Sequence, residues 1–261
     1  MTALVAAGCA VLGLAIGSFL NVVIHRVPLH QSVVTPSSRC PRCATSLSGR
    51  DNVPVVSWVL LRGRCRHCGA PISTRYPLVE AATAALFAVL ALRLGLTWAL
   101  PAYLVCFASL VALSVIDLDH GMLPSRIIYP TLIASGGLLV VAALAEDRWA
   151  DLGHAVVGAV AAWVFFGLLW LAYPAGMGFG DVRLAPLLGA HLGFLSLMHV
   201  FVGIFSAALL GAVSGLALQA LGRRGGRDPI PFGPFLALGT LVTVLFGASF
   251  LGWYDRSVLG R

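Results

Sequence analysis

Apolar residues run along this chain in long blocks, separated by short polar stretches and not alternating with them. The blocks fall at 2–24, 79–96, 98–116, 126–145, 152–173, 181–192, 196–221 and 233–252. About 20 apolar residues in a helix cross the hydrocarbon core of a bilayer. The pattern therefore predicts an all-α polytopic membrane protein with about eight transmembrane helices. The sixth block is short. Joined to the seventh, 182–221 would form one helix about 60 Å long, twice the thickness of the core. The stretch His191-Leu192-Gly193 offers a break between them. The longest polar stretch divides the chain into a first helix (1–24), a loop (25–78) and a helical core (79–261). No period of roughly 20 to 50 residues marks an internal repeat.

Composition supports this division. Hydrophobic residues make up 59% and charged residues 10%, whereas a soluble domain carries about a quarter charged. Mean hydropathy is +0.94. The net charge of +7 comes from arginine alone, since the chain has no lysine. Most arginines lie between apolar blocks, where they set orientation and do not bind nucleic acid. The 25–78 loop carries Arg26, Arg39, Arg42, Arg50, Arg62, Arg64, Arg66 and Arg75 against Asp51. That bias places the loop in the cytoplasm and the N-terminus outside, in a multi-pass cell-membrane protein. The 146–151 loop then falls outside and is acidic. Arg223, Arg224 and Arg227 return to the cytoplasm only if 182–221 crosses twice, which requires eight spans. The first block lacks a basic flank before it and reads as a retained span, not a removed signal.

Among the acids, Glu80 and most others read as loop or span-end residues. Asp117 and Asp181 stand apart, each joining a long apolar block at the same predicted membrane face, 64 residues apart. A carboxylate at the hydrocarbon boundary is costly unless it is paired, protonated or functional. One reading has them cap helices or pair with Arg126 and Arg183. The other makes them a dyad, in which two like charges about 4 Å apart repel by about 4 kcal/mol at an effective dielectric of about 20. One acid then keeps a proton while the other draws one from water. Gly178 and Gly180, just before Asp181, allow a tight backbone and the approach of an extended substrate strand. Asp117-Leu118-Asp119 also has the form of a DxD divalent-metal motif. Helical geometry points its two acids about 200° apart, so only one can face a partner.

Of six cysteines, Cys9 and Cys106 lie within apolar blocks. Cys40-Pro41-Arg42-Cys43 and Cys65-Arg66-His67-Cys68 form two knuckles in the arginine-rich loop. In a reducing compartment this spacing reads as a closed, structural four-cysteine zinc site, with His67 as a substitute ligand.

With these residues in order, the sequence resembles the type IV prepilin peptidase (type IV leader peptidase) family of GxGD aspartic intramembrane endopeptidases. The resemblance is carried by Gly17-Ser18-Phe19-Leu20-Asn21-Val22-Val23-Ile24-His25-Arg26-Val27-Pro28, the paired knuckles, Ile116-Asp117-Leu118, Leu123-Pro124, Gly178 to Asp181, and Pro231 to Gly239. It implies catalytic aspartates at Asp117 and Asp181, with no catalytic role for Asp119. Ser125 departs from the acid or amide usual after Leu-Pro, and Arg183 from a frequent lysine. The resemblance further implies type IV prepilin or pilin-like substrates. It also implies S-adenosylmethionine-dependent N-methylation of the new N-terminus. The residues themselves carry no Rossmann-like methyl-donor fingerprint. Ser18, Asn21 and His25 share a helix face and either contact the donor or satisfy one another.

The resulting expectation is leader-peptide cleavage at the cytoplasmic membrane face by an aspartate dyad that activates water. A transporter or scaffold using the two acids as a proton or cation site is the rival from another class. A GxGD protease acting on other membrane proteins is the nearer rival. The basic loop is expected to repel a basic leader, which leaves recognition to the substrate's apolar helix and the glycine loop.

Overall fold

A computed structural model describes residues 2–174, 176–222 and 231–257. The arginines at 223, 224 and 227, used above to count crossings, lie outside the described residues. The eight apolar blocks form α1 (Thr2–Arg26), α3 (Arg75–Leu94), α4 (Leu100–His120), α5 (Ser125–Glu146), α6 (Trp149–Ala172), α7 (Phe179–Leu195), α8 (Leu197–Ala220) and α9 (Gly233–Ser257). A short α2 (Val56–Leu60) lies in the polar loop. Among the described residues, seven helices are long and apolar enough to cross a membrane, so the chain is a multi-pass membrane protein. The eighth, α7, has 17 residues and a length of about 25 Å. No strand occurs among the described residues.

One boundary differs from the pattern's prediction. The helix does not break at His191-Leu192-Gly193 but continues to Leu195. The chain turns at Ser196, which is extended and whose hydroxyl accepts from the His199 amide to cap α8. Gly193 serves packing instead: a Cβ there would lie 3.0 Å from Ala155 Cα on α6 and against the His154 carbonyl.

The chain divides into two compact units, Met1–Leu100 and Pro101–Arg261. In the first, α1 and α3 meet through small residues. A Cβ on Gly13 would lie 2.7 Å from Ala84 Cα, and one on Gly17 would lie 2.7 Å from Glu80 Cα. Such small-xxx-small spacing lets two helix backbones approach within a membrane. One turn further on, the Asn21 amide donates to the Tyr76 carbonyl at 3.2 Å.

In the second unit α7 is buried along nearly its whole length. Gly158 of α6 and Gly189 of α7 face each other's carbonyl oxygens, with no room for a side chain on either. The buried Tyr103 hydroxyl of α4 donates to the His191 carbonyl at 2.7 Å. A helix packed so closely on its neighbours holds residues at its end in a fixed place.

Candidate active site and metal centre

Asp117 lies in the last turn of α4 and Asp181 in the first turn of α7. Each is only 5% exposed. The amide of Gly233, which opens α9, donates to Asp117 Oδ2 at 2.9 Å. Leu123 joins the two halves. A Cβ on Gly180 would lie 2.9 Å from Leu123 Cβ, and one on Gly233 would lie 3.1 Å from Leu123 Cδ2. Thus the glycine before Asp181 and the glycine bound to Asp117 rest on one leucine. Asp181 Oδ1 is buried without a hydrogen-bond partner among the described residues.

Two alternatives from the sequence meet a different arrangement. Arg183 turns to Ser125 Oγ at 2.9 Å and lies over the Phe179 ring at 4.7 Å, so it does not neutralise Asp181. Neither carboxylate pairs with an arginine among the described residues. Asp119 is exposed while Asp117 is buried, which separates the acids of the DxD reading. The Ser125–Arg183 bond also shows that the two departures from the family pattern touch each other, tying the start of α5 to the first turn of α7.

The glycine pair divides in role. Gly180 is packed against Leu123, so any side chain there must displace it. At Gly178 a Cβ would meet Asp181 Oδ2 only at 3.7 Å, an ordinary contact. Sequence reasoning gave no site role to Gly233 or Leu123. Their sole signal was membership of the Pro-Phe-Gly-Pro and Leu-Pro stretches, because their effect arises through contacts remote in sequence.

In the first unit the sulfurs of Cys40, Cys43, Cys65 and Cys68 all lie within 4.8 Å of one another. The Cys40–Cys68 separation is 3.8 Å. A tetrahedron with metal–sulfur distances of about 2.3 Å has edges of about 3.8 Å, so the donor set fits a divalent metal such as zinc. His67 is exposed and stands outside the cluster. Each knuckle is a copy of the other. Cys40 N–H donates to the Thr45 carbonyl and Ala44 N–H to the Cys40 carbonyl, as Cys65 does to Ala70 and Gly69 to Cys65. Matching bridges join Arg39 to Ser46 and Arg64 to Pro71. The two knuckles read from the sequence are thus one local structure made twice.

Hydrogen bonding from Thr45 holds the Cys43 thiol down to about 6. Cys68 goes the other way: the Ala70 amide favours its thiolate, but burial and the neighbouring thiols push it up to about 11. Four crowded thiols cannot all ionise without a cation among them.

The residue after each knuckle is left-handed, Gly69 at φ 66° and Ala44 at φ 56°. Alanine is strained there and glycine is not. Ala44→Gly should stabilise the metal-bound knuckle by about 1 kcal/mol. Slower metal loss to a chelator would check it; faster loss would show that the Ala44 methyl contributes more than its backbone costs.

The knuckles are anchored to the helices. The Asp51 carboxylate accepts from Ser48 Oγ at 2.7 Å and Arg66 Nε at 2.7 Å. These contacts, Ser48 first, hold it below the usual carboxylate range. Buried Glu80 of α3 accepts from the Val55 amide at 2.7 Å. It is thus a tie between loop and helix, a role its place at a span end did not reveal. Of the three polar residues aligned on α1, Asn21 binds Gly17 and Tyr76, His25 is exposed, and Ser18 borders a cavity.

Residues 11–94 match the bacterial peptidase A24 N-terminal domain, and residues 104–216 match the type IV leader peptidase family. A protein of Aeromonas salmonicida named prepilin leader peptidase/N-methyltransferase is 39% identical, the match covering 94% of this chain and 92% of that protein. Proteins of the same name from Burkholderia pseudomallei (40% identical; 92% and 85% covered) and Bacillus subtilis (32%; 96% and 98%) are similar over comparable lengths. No solved structure matches. The chain belongs to the type IV leader peptidase family.

Proposed function

We propose that this protein removes the leader peptide of type IV prepilins or pilin-like proteins and then N-methylates the new N-terminus. The observation that carries the first step is the pair of nine-tenths-buried carboxylates, Asp117 and Asp181, whose neighbouring glycines Gly233 and Gly180 rest on the same Leu123, with Asp181 Oδ1 lacking a hydrogen-bond partner among the described residues. The ionised member takes a proton from water, whose oxygen attacks the scissile carbonyl. The protonated member gives its proton to the departing amine, and the dyad returns to one shared proton. No covalent enzyme intermediate forms. Gly178 and Gly180 border the path of the extended cleavage site. Cys40, Cys43, Cys65 and Cys68 hold a structural zinc. Its closed coordination leaves no position for substrate.

The names of the relatives support the second activity. S-adenosylmethionine, when bound, supplies a methyl group to the neutral amine, its sulfonium becoming a thioether as the nitrogen releases a proton. The arginine bias of the 25–78 loop supports a cytoplasmic position for that loop. Both aspartates lie at helix ends, whereas transport sites lie near the membrane midplane; this weighs against a proton or cation carrier.

Incubation of the purified protein with membrane-anchored peptides tests the reading. A prepilin segment should be cut after its leader, while unrelated single-span segments stay intact. Cleavage of the unrelated segments at equal rates would identify a general intramembrane protease. Proton flux into vesicles without proteolysis would identify a carrier.

A further inference from the structure

We propose that a cavity at the end of α1 binds the methyl donor; this rests on the N-methyltransferase reading above. The cavity has a volume of about 380 Å³, within the range of roughly 300–1,000 Å³ typical of small-ligand sites. It lies wholly in the first unit. Ser18, Phe19 and Arg26 border it from α1, Val34 and Ser38 from the loop, and Asn52 from the turn before α2.

Each wall is fixed by bonds of its own. The Gly13, Gly17 and Asn21 face of α1 is committed to α3, which leaves Ser18, Phe19 and Arg26 on the adjoining face. Arg26 donates to the carbonyls of Ser32 at 3.0 Å and Pro36 at 2.7 Å, curling the loop back on the helix. Ser32 Oγ accepts from the amides of Val34 and Thr35, both at 3.2 Å, and sets the turn that presents Val34. Asn52 follows the 3₁₀ turn that Ser48, Asp51 and Arg66 hold together.

The chemistry of these walls matches the parts of S-adenosylmethionine. Phe19 and Val34 offer apolar surface for a purine ring. The Asn52 amide has the adjacent donor and acceptor that read the N6/N7 edge of adenine. Arg26 has five N–H donors and spends two on carbonyls, which leaves three for an amino-acid carboxylate. The hydroxyls of Ser18 and Ser38 suit ribose oxygens and the sulfonium. An anionic lipid headgroup would also use Arg26 and the serines, but it presents no edge for Asn52 to read.

The experiment uses the full-length, zinc-loaded protein in zwitterionic nanodiscs. S-adenosylmethionine affinity is measured by calorimetry, and ultraviolet crosslinking of the labelled donor is mapped by peptide analysis. Crosslinks should fall within 15–54. Ser18→Leu and Asn52→Leu should each weaken binding at least tenfold while one zinc per chain is retained. Should Asn52→Leu lose zinc, Ser18→Leu alone decides. Donor affinity within twofold of wild type in a zinc-loaded variant would overturn the proposal. So would unchanged donor binding with loss of bound phosphatidylglycerol in native mass spectrometry, which would make this a lipid site. If the unaltered protein neither binds the donor nor methylates a processed pilin, the methyltransferase reading itself fails. Methylation by the unaltered protein with crosslinks elsewhere refutes only the placement.

Discussion

Asp181→Asn or Asp117→Asn should slow leader cleavage by roughly a thousandfold or more, within the 10²–10⁴ range of a lost general acid or base. Asparagine keeps the shape of the side chain and, at position 117, an oxygen able to accept from the Gly233 amide. It cannot exchange a proton with water. Asp119→Asn, on the exposed side of α4, should remain close to wild type. A third substitution separates charge from position: Gly233→Ala leaves both acids intact but would bring a methyl group within 2.8 Å of Asp117 Oδ2. Cleavage should collapse there too. The measurement is turnover of a prepilin peptide at equal levels of inserted protein. Wild-type turnover by Asp181→Asn would remove the dyad from the mechanism.

The second large effect is expected from Cys40→Ser combined with Cys43→Ser. Metal analysis of the unaltered protein should give one tightly held zinc per chain, and the double variant should hold none. Structural zinc contributes on the order of 10 kcal/mol to its local unit. The knuckles, each closed on itself by a few backbone bonds and one isolated bridge, should then open to proteases. The α1–α3 pairing should survive because Gly13, Gly17 and Asn21 make it without the sulfurs. A metal-free wild-type protein with an equally protease-resistant loop would refute the assignment.

The spans were legible because bilayer thickness imposes a length on apolar blocks, which leaves little room for alternative readings. The break before α8 was misplaced because glycine has two uses. At Gly193 it admits a neighbouring backbone instead of ending a helix. The two aspartates announced themselves by being charged where charge is costly. Leu123 and Gly233 had no such mark. Gly233 lies 116 positions beyond the carboxylate it binds, and no local pattern encodes that contact. The paired knuckles were legible from their cysteines, but their matching backbone bonds were not, since Ala44 stands in one where Gly69 stands in the other.

The shortness of α7 bears on how this protein is made. A segment of 17 residues that carries Asp181, Arg183 and His191 is a weak candidate to enter lipid alone. A charged residue at a helix centre costs about 2.5–3.5 kcal/mol on insertion scales, and charges nearer the ends cost less. Its glycine contacts with α6 supply the receiving surface, so α7 should settle only once its predecessor is in the bilayer. Asp117 then still awaits the Gly233 amide, which the ribosome delivers after α8 has been synthesised. The hydrolytic centre would therefore come together only after α8 has been made, leaving the growing chain until then inert toward other proteins emerging beside it.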